Sequence, residues 1–195
     1  KLGDLIYGVM LSSGNDAAIA VAEHIGGSVE GFADMMNKKA QEIGAVDTSF
    51  KNPNGLDEEG HYTTAYDLAL ITRYALKNKI FAEIVKTQEK KIPWQGHEWD
   101  RTLQNHNKLL KMYEGCDGVK TGYTKKSGRC LVSSATRNGW QVVAVTLNAP
   151  NDWEDHKKML DYAFDGYTLT TICEEGDYMK TVPVKDGKKD RIVLT

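Results

Sequence analysis

The chain has 195 residues, 41% of them hydrophobic and 27% charged, with a formal net charge of −2. That is enough chain for one large domain, or one domain and part of another, around an apolar core, and the mix excludes a disordered or fibrous polypeptide. The lysines are scattered as short doublets with no basic face, which argues against nucleic acid as a partner, and no apolar run approaches the roughly 18 residues that mark a membrane span.

Taken in chain order, residues 1–11 read as a helix that runs into the turn Ser12-Ser13-Gly14-Asn15. Asp16 opens a second, alanine-rich helix to about Ile25, which Gly26-Gly27 ends. Ser28 is placed as an N-cap, and Phe32, Met35, Met36, Lys39, Ala40 and Ile43 follow at helical spacing up to Gly44. Asn52-Pro53-Asn54-Gly55 can continue neither a helix nor a central strand. Thr64-x-x-Asp67 reads as a capping box ahead of a helix to about Leu76.

The period then changes. Residues 81–113 are mixed, with an Asn-rich turn at Asn105–Asn107. Three strands are expected at Asp117–Thr124, Arg129–Arg137 and Trp140–Asn148, the last two joined by the hairpin dipeptide Asn138-Gly139. A helix follows from Asp152 to about Phe164, and the tail alternates again through Val182, Val184, Ile192 and Leu194, with Gly187 between the two arms. The three cysteines, Cys116, Cys130 and Cys173, have no C-x-x-C spacing, and the five histidines include no H-x-x-x-H pair, so no metal site is expected. Trp94 and Trp99 are assigned to packing ahead of lining a groove, and Cys116 is assigned to the interior ahead of a reactive position near a cleft.

Two short motifs carry chemistry. Ser13-Gly14-Asn15 lies in a turn between helices, and Lys120-Thr121-Gly122 lies on the first of the three strands. Serine acyl-transferases of the β-lactam-binding kind combine S-x-x-K, S-x-N and K-T-G. A serine hydroxyl needs a base one helical turn away, a second hydroxyl and an amide hold the substrate and relay a proton, and a strand lysine supplies positive charge for a carboxylate. Each motif alone is weak, because Ser-Gly-Asn is ordinary turn chemistry.

The wider sequence resembles the D-alanyl-D-alanine carboxypeptidases, the low-molecular-mass penicillin-binding proteins of peptidase S11 type. The resemblance runs in unbroken order through L-S-S-G-N-D-A-A-I-A-V-A-E-H-I-G-G at 11–27, N-P-N-G-L-D at 52–57, G-H-Y-T-T-A-x-D-L-A at 60–69 and D-G-V-K-T-G-Y-T at 117–124. It implies an α+β fold of the β-lactamase/transpeptidase-like kind, with a helical subdomain and an antiparallel sheet carrying packed helices, of which three of five strands are present. Residues 1–168 would form the partial penicillin-binding domain, and 169–195 a linker and the start of a C-terminal β domain.

The resemblance also implies roles. Ser13 would shuttle a proton beside the nucleophile, Asn15 would hold the substrate's peptide carbonyl, and Lys120 would act in catalysis and, with Thr121, bind the terminal carboxylate. Gly122 would let substrate backbone lie against the strand, and the backbone N–H of Tyr123 would donate to the oxyanion. Partners would be peptidoglycan stem peptides and β-lactam antibiotics, with no cofactor, in the extracytoplasmic cell envelope, the full-length protein being membrane-associated. A stem-binding module without turnover and a β-lactamase relative are the competing readings; the stretch from Asn52 to Ala69 argues against the second.

Two departures stand out. None of the seven serines (Ser12, Ser13, Ser28, Ser49, Ser127, Ser133, Ser134) has lysine at +3, so no S-x-x-K is present. Thr48-x-x-Lys51 and Thr87-x-x-Lys90 have the spacing but the wrong residue and the wrong order. The nucleophile and two strands are therefore expected to belong to a segment ahead of residue 1. On that expectation the apolar strand at 140–146 has a bare edge, and the chain alone is inactive and self-associates or pairs with that segment. The second departure is that Asn148-Ala149-Pro150-Asn151 offers no arginine where many relatives carry one for the carboxylate.

Overall fold

In the computed structural model the described residues are 1–174, 176–183, 185 and 191–194. Three helices lead: α1 (Leu2–Ser12), α2 (Asn15–Gly26) and α3 (Val29–Glu42). α1 ends because Ser13 takes a left-handed conformation, φ 54°, as helix C-caps do. α3 starts where Ser28 caps it, its Oγ accepting the Gly31 N–H at 3.0 Å. α2 and α3 approach closely at their junction: a Cβ on Gly26 would lie 2.5 Å from the Phe32 nitrogen, so only glycine fits there.

Thr64 caps α4 (Ala65–Leu76), accepting the Asp67 N–H at 3.1 Å. The reciprocal half of the expected capping box does not form. Asp67 is 1% exposed and instead accepts from Asp47 N at 2.8 Å and Thr48 Oγ1 at 2.7 Å, tying the 47–48 loop to the helix.

Within the mixed stretch lies α5 (Lys79–Lys86), capped by Asn78, whose Oδ1 accepts from Ile80 N and Phe81 N. Then come a hairpin of β1 (Glu89–Ile92) and β2 (Arg101–Gln104) and one turn of helix, α6 (Leu109–Met112). The main sheet follows as β3 (Cys116–Thr124), β4 (Gly128–Arg137) and β5 (Trp140–Thr146), antiparallel in the order β3-β4-β5. Asn138 (φ 50°) and Gly139 (φ 76°) make the expected left-handed two-residue turn. The last helix is α7 (Asp152–Gly166). β6 (Lys180–Pro183) and β7 (Arg191–Leu194) pair with each other, while Val184 and Gly187 lie outside the described residues.

Alternation along the strands sorts side chains onto two faces. Leu131, Ser133 and Ala135 of β4 and Ala144 of β5 face α7, where Leu160 closes the core. On that face His156 is fully buried between two hydroxyls, Nδ1 2.5 Å from Ser133 Oγ and Nε2 2.9 Å from Thr146 Oγ1. Burial pushes its pKa from 6.5 down to about 4, so it packs as neutral imidazole. The opposite face receives α5: a Cβ on Gly118 would meet Val85 Cγ2 at 3.0 Å. Among the described residues β3 and β5 are both edge strands of this sheet, and β5 pairs with β4 alone.

Candidate active site

The two motifs meet. The left-handed cap that ends α1 turns the Ser13 side chain outward, and Asn15, the first residue of α2, is exposed beside it. Across from this turn lies the open edge of β3. Lys120 Nζ donates to Ser13 Oγ at 2.5 Å and to its neighbour's carbonyl, Thr121 O, at 2.7 Å. The ammonium is largely withdrawn from water, which lowers its pKa from 10.5 to about 8. Ser13, Asn15, Lys120, Thr121, Gly122 and Tyr123 all line one cleft of about 990 Å³.

Gly122 stands opposite Cys130 in the β3–β4 register. A Cβ there would meet nothing nearer than Cys130 at 3.7 Å, so packing within the fold does not demand glycine. The space it leaves opens onto the cleft. Tyr123, next along the strand, is 70% exposed.

Several supports escape a reading of the sequence. The 52–58 loop forms one wall and is held by its own asparagine: Asn52 Oδ1 accepts Gly55 N at 2.8 Å and Asn52 Nδ2 donates to Leu56 O at 3.0 Å. Asp57 Oδ1 then accepts from Thr124 Oγ1 at 2.9 Å and Ser127 Oγ at 3.2 Å, clipping that wall to the β3–β4 turn. The Asn-rich turn is a staple. Asn105 Nδ2 donates to Thr87 O at 2.9 Å, His106 N to Leu11 O at 3.1 Å, and the buried Asn107 donates to Gly118 O at 2.8 Å. It joins α1, the end of α5 and β3, which fixes the height of Ser13 over Lys120.

Arg129 on β4 also lines the cleft, opposite Tyr123 in register, with Nη2 2.9 Å from Asp152 Oδ1. Nothing in the spacing of residues 129 and 152 announces that pair.

Other expectations divide. Cys116 is buried and its thiol is pushed up to about 11, so it is an interior residue; Cys130 is the cysteine on the cleft. Trp94 and Trp99 do not pack inside: they are 44% and 61% exposed and flank His97, whose ring centre lies 4.0 Å and 5.0 Å from theirs.

Residues 1–151 match the peptidase S11 family, described as D-alanyl-D-alanine carboxypeptidase. The chain belongs to that family. The D-alanyl-D-alanine carboxypeptidase DacF of Bacillus subtilis is 41% identical over 195 residues, covering 98% of this chain and 50% of that protein. DacD of Escherichia coli is 33% identical over 98% of this chain and 49% of its own length. The chain thus spans about half the length of the curated relatives it matches. Among solved structures, the Streptomyces K15 DD-transpeptidase superposes with a TM-score of 0.79 at 35% identity, covering 84% of this chain and 67% of that one. A penicillin-binding protein homologue from Mycobacterium tuberculosis gives 0.80 at 30% identity, over 88% and 67%. These likenesses bear out the α+β, transpeptidase-like architecture.

Proposed function

We propose that this chain forms one side of the active centre of a serine D-Ala-D-Ala carboxypeptidase that trims the terminal D-Ala from peptidoglycan stem pentapeptides. The observation that carries the reading is the hydrogen bond between Lys120 and Ser13 at the open edge of β3. It brings the two motifs together with Asn15, Thr121 and Gly122 in one cleft, in a chain of the peptidase S11 family.

In the proposed reaction a serine Oγ attacks the carbonyl of the penultimate D-Ala. The C–N bond breaks, and the proton passed through Ser13 leaves on the amine of free D-Ala. Asn15 holds the stem's peptide carbonyl, the Tyr123 N–H donates to the oxyanion, and Lys120 with Thr121 receives the terminal carboxylate. Water then hydrolyses the acyl-serine, and no cofactor is required. β-Lactams enter the same cleft as dipeptide mimics. The 195 residues contain no S-x-x-K, so we assign the nucleophile to sequence outside them and expect residues 1–195 alone to bind without turnover.

The setting proposed is the bacterial cell envelope, with the full-length protein held at the membrane. Among the described residues no helix is long and apolar enough to cross one. Residues 169–195 are proposed as linker and the start of a second, β-rich domain. The test is D-alanine release from a pentapeptide by a chain that includes an S-x-x-K segment. Release that survives both Ser13→Ala and Lys120→Ala rules the reading out.

A further inference from the structure

The tip of the β1–β2 hairpin carries an aromatic platform that the proposed reaction does not use. Trp94, Gln95, Gly96 and His97 form a tight turn, with His97 N donating to Trp94 O at 3.0 Å and Gly96 left-handed at φ 85°. The turn brings the His97 ring to Trp94, with ring centres 4.0 Å apart at 35°, and the Trp99 ring follows at 5.0 Å and 47°. The three rings rest on one another and not on the core. Ile92 at the end of β1 still packs against the Leu11 cluster, but every residue from Pro93 to Asp100 is exposed. Two indoles held in water carry a hydrophobic cost that no packing among the described residues offsets.

Two features point to what covers this platform. The first is its chemistry. Gln95, Glu98 and Asp100 are interleaved with the rings in the same exposed stretch, and residues 93–100 include no lysine or arginine. Flat aromatic faces beside amide and carboxylate acceptors suit a pyranose, whose ring face is C–H and whose rim is hydroxyl and acetamido N–H. An anionic bilayer would meet two carboxylates of its own sign. The second feature is place. β2 runs from the tip directly to Asn105 and His106, which line the cleft. Trp99 stands six residues ahead of Asn105, so at about 3.3 Å per residue their backbones are no more than about 20 Å apart. The hairpin is fastened there: Leu103 packs with Leu11 and Ile84, and Lys90 Nζ sits 5.0 Å from the centre of the Tyr7 ring on α1. A stem peptide reaching back from the scissile bond to its sugar has four residues and a linking acyl group, about 17 Å when extended. The sugar of a stem seated in the cleft therefore comes within reach of the tip.

We propose that Trp94, His97 and Trp99 form a saccharide-binding platform that holds the amino-sugar glycan strand from which the stem peptide hangs, while the cleft holds the peptide's end. No bond is made or broken at the platform. It raises the affinity for stems attached to glycan over free stems, because the second contact is made within one ligand. The identity of the saccharide rests on the carboxypeptidase reading, and the test separates the two.

The probes are tri-N-acetylchitotriose, the free stem pentapeptide and the same pentapeptide on its disaccharide. Each is titrated into the 195-residue chain with backbone amide and indole N–H shifts followed by NMR. The sugar alone should move the Trp94 and Trp99 indole signals and leave the amides of Lys120 to Tyr123 in place. The disaccharide pentapeptide should bind about fivefold tighter than the free pentapeptide. The double variant Trp94→Ala with Trp99→Ala should bring the two within about twofold and leave the affinity for the free pentapeptide unchanged. Circular dichroism checks that it is folded. Equal affinity of the wild-type chain for the two pentapeptides, with the indole signals unmoved by the sugar, overturns the proposal and leaves the carboxypeptidase reading intact. Indole shifts with the sugar, beside a free pentapeptide that leaves the amides of Lys120 to Tyr123 unmoved, overturn the carboxypeptidase reading and retain the platform. Binding to phosphatidylglycerol vesicles that the double variant loses, without any response to the sugar, assigns the tip to a lipid surface and overturns the proposal.

Discussion

Lys120 Nζ donates to Ser13 Oγ at 2.5 Å, across 107 residues of sequence, and so ties the cap of a helix to the edge of a sheet. Both partners are held there at a cost in free energy. Ser13 takes a left-handed conformation that costs a non-glycine residue about 1–2 kcal/mol, and Lys120 is an ammonium drawn away from water.

That placement predicts a trade between stability and binding. Removing the buried charge with Lys120→Met should abolish binding of the stem peptide, a loss of about thirtyfold or more. It should leave the melting temperature at pH 7 no lower than wild type. A variant that unfolds and still binds would contradict the assignment.

The pH dependence of Lys120 has a defined sign. The unfolded lysine releases its proton near 10.5 and the folded one near 8. The cost of burying its charge is therefore fully present below pH 8 and fades as pH rises to 10.5. Ligand binding goes the other way, and isothermal titration should show affinity for the anionic peptide falling between pH 7 and 9, around that value of about 8.

His156 governs the acid side. The unfolded chain takes up a proton near pH 6.5 that the folded core refuses until about 4. Stability contributed by the neutral ring is complete above 6.5 and is lost as pH falls through that window. Urea unfolding at pH 7 and pH 4.5 should differ by about 2–3 kcal/mol from this group, and His156→Gln should remove most of that difference.

Asp57 offers a test of the clip between the 52–58 loop and the β3–β4 turn. Asp57→Ala should cost about 1 kcal/mol or less in global stability, since its hydrogen bonds are exposed. Hydrogen exchange should nonetheless rise at Ser127, whose N–H bonds to Thr124 Oγ1, and peptide affinity should fall. Unchanged exchange there would show that the clip does not hold the wall.

Much of this arrangement is legible in the sequence because its signals are local. The caps at Ser28 and Thr64, the Asn138-Gly139 turn and the three strands each declare themselves within a few residues. α5 escapes notice although Ile80, Phe81, Ile84 and Val85 repeat at helical spacing. Eight residues is too short a run for periodicity to outweigh its mixed surroundings. Asp67 defies its motif in part because a capping-box pattern cannot show that a loop 20 residues upstream competes for the same carboxylate. Arg129 is invisible for the same reason: its partner Asp152 and its place on the cleft depend on strand register, not on spacing. Trp94 and Trp99 look like interior residues because large aromatics bury most area, but in a hairpin of four-residue strands no core reaches them.

The open edge of β5 predicts behaviour of the isolated chain. Trp140–Thr146 is a mostly apolar strand with one partner among the described residues, and such edges pair with whatever strand is available. Sedimentation of residues 1–195 should show mass rising with concentration. A monodisperse monomer that melts cooperatively would contradict this.

The most direct test of the central claim is the intact mass of the protein after exposure to a penicillin. Opening a β-lactam by a serine adds the whole antibiotic, with no leaving group. Residues 1–195 alone should remain at their own mass, because on the proposed reading the Ser13–Lys120 pair relays and binds but does not attack. A longer chain that includes an S-x-x-K segment should gain one penicillin, and Lys120→Met in that chain should greatly slow the gain. A stoichiometric adduct on residues 1–195 alone, or labelling of the longer chain that ignores Lys120, would contradict the account.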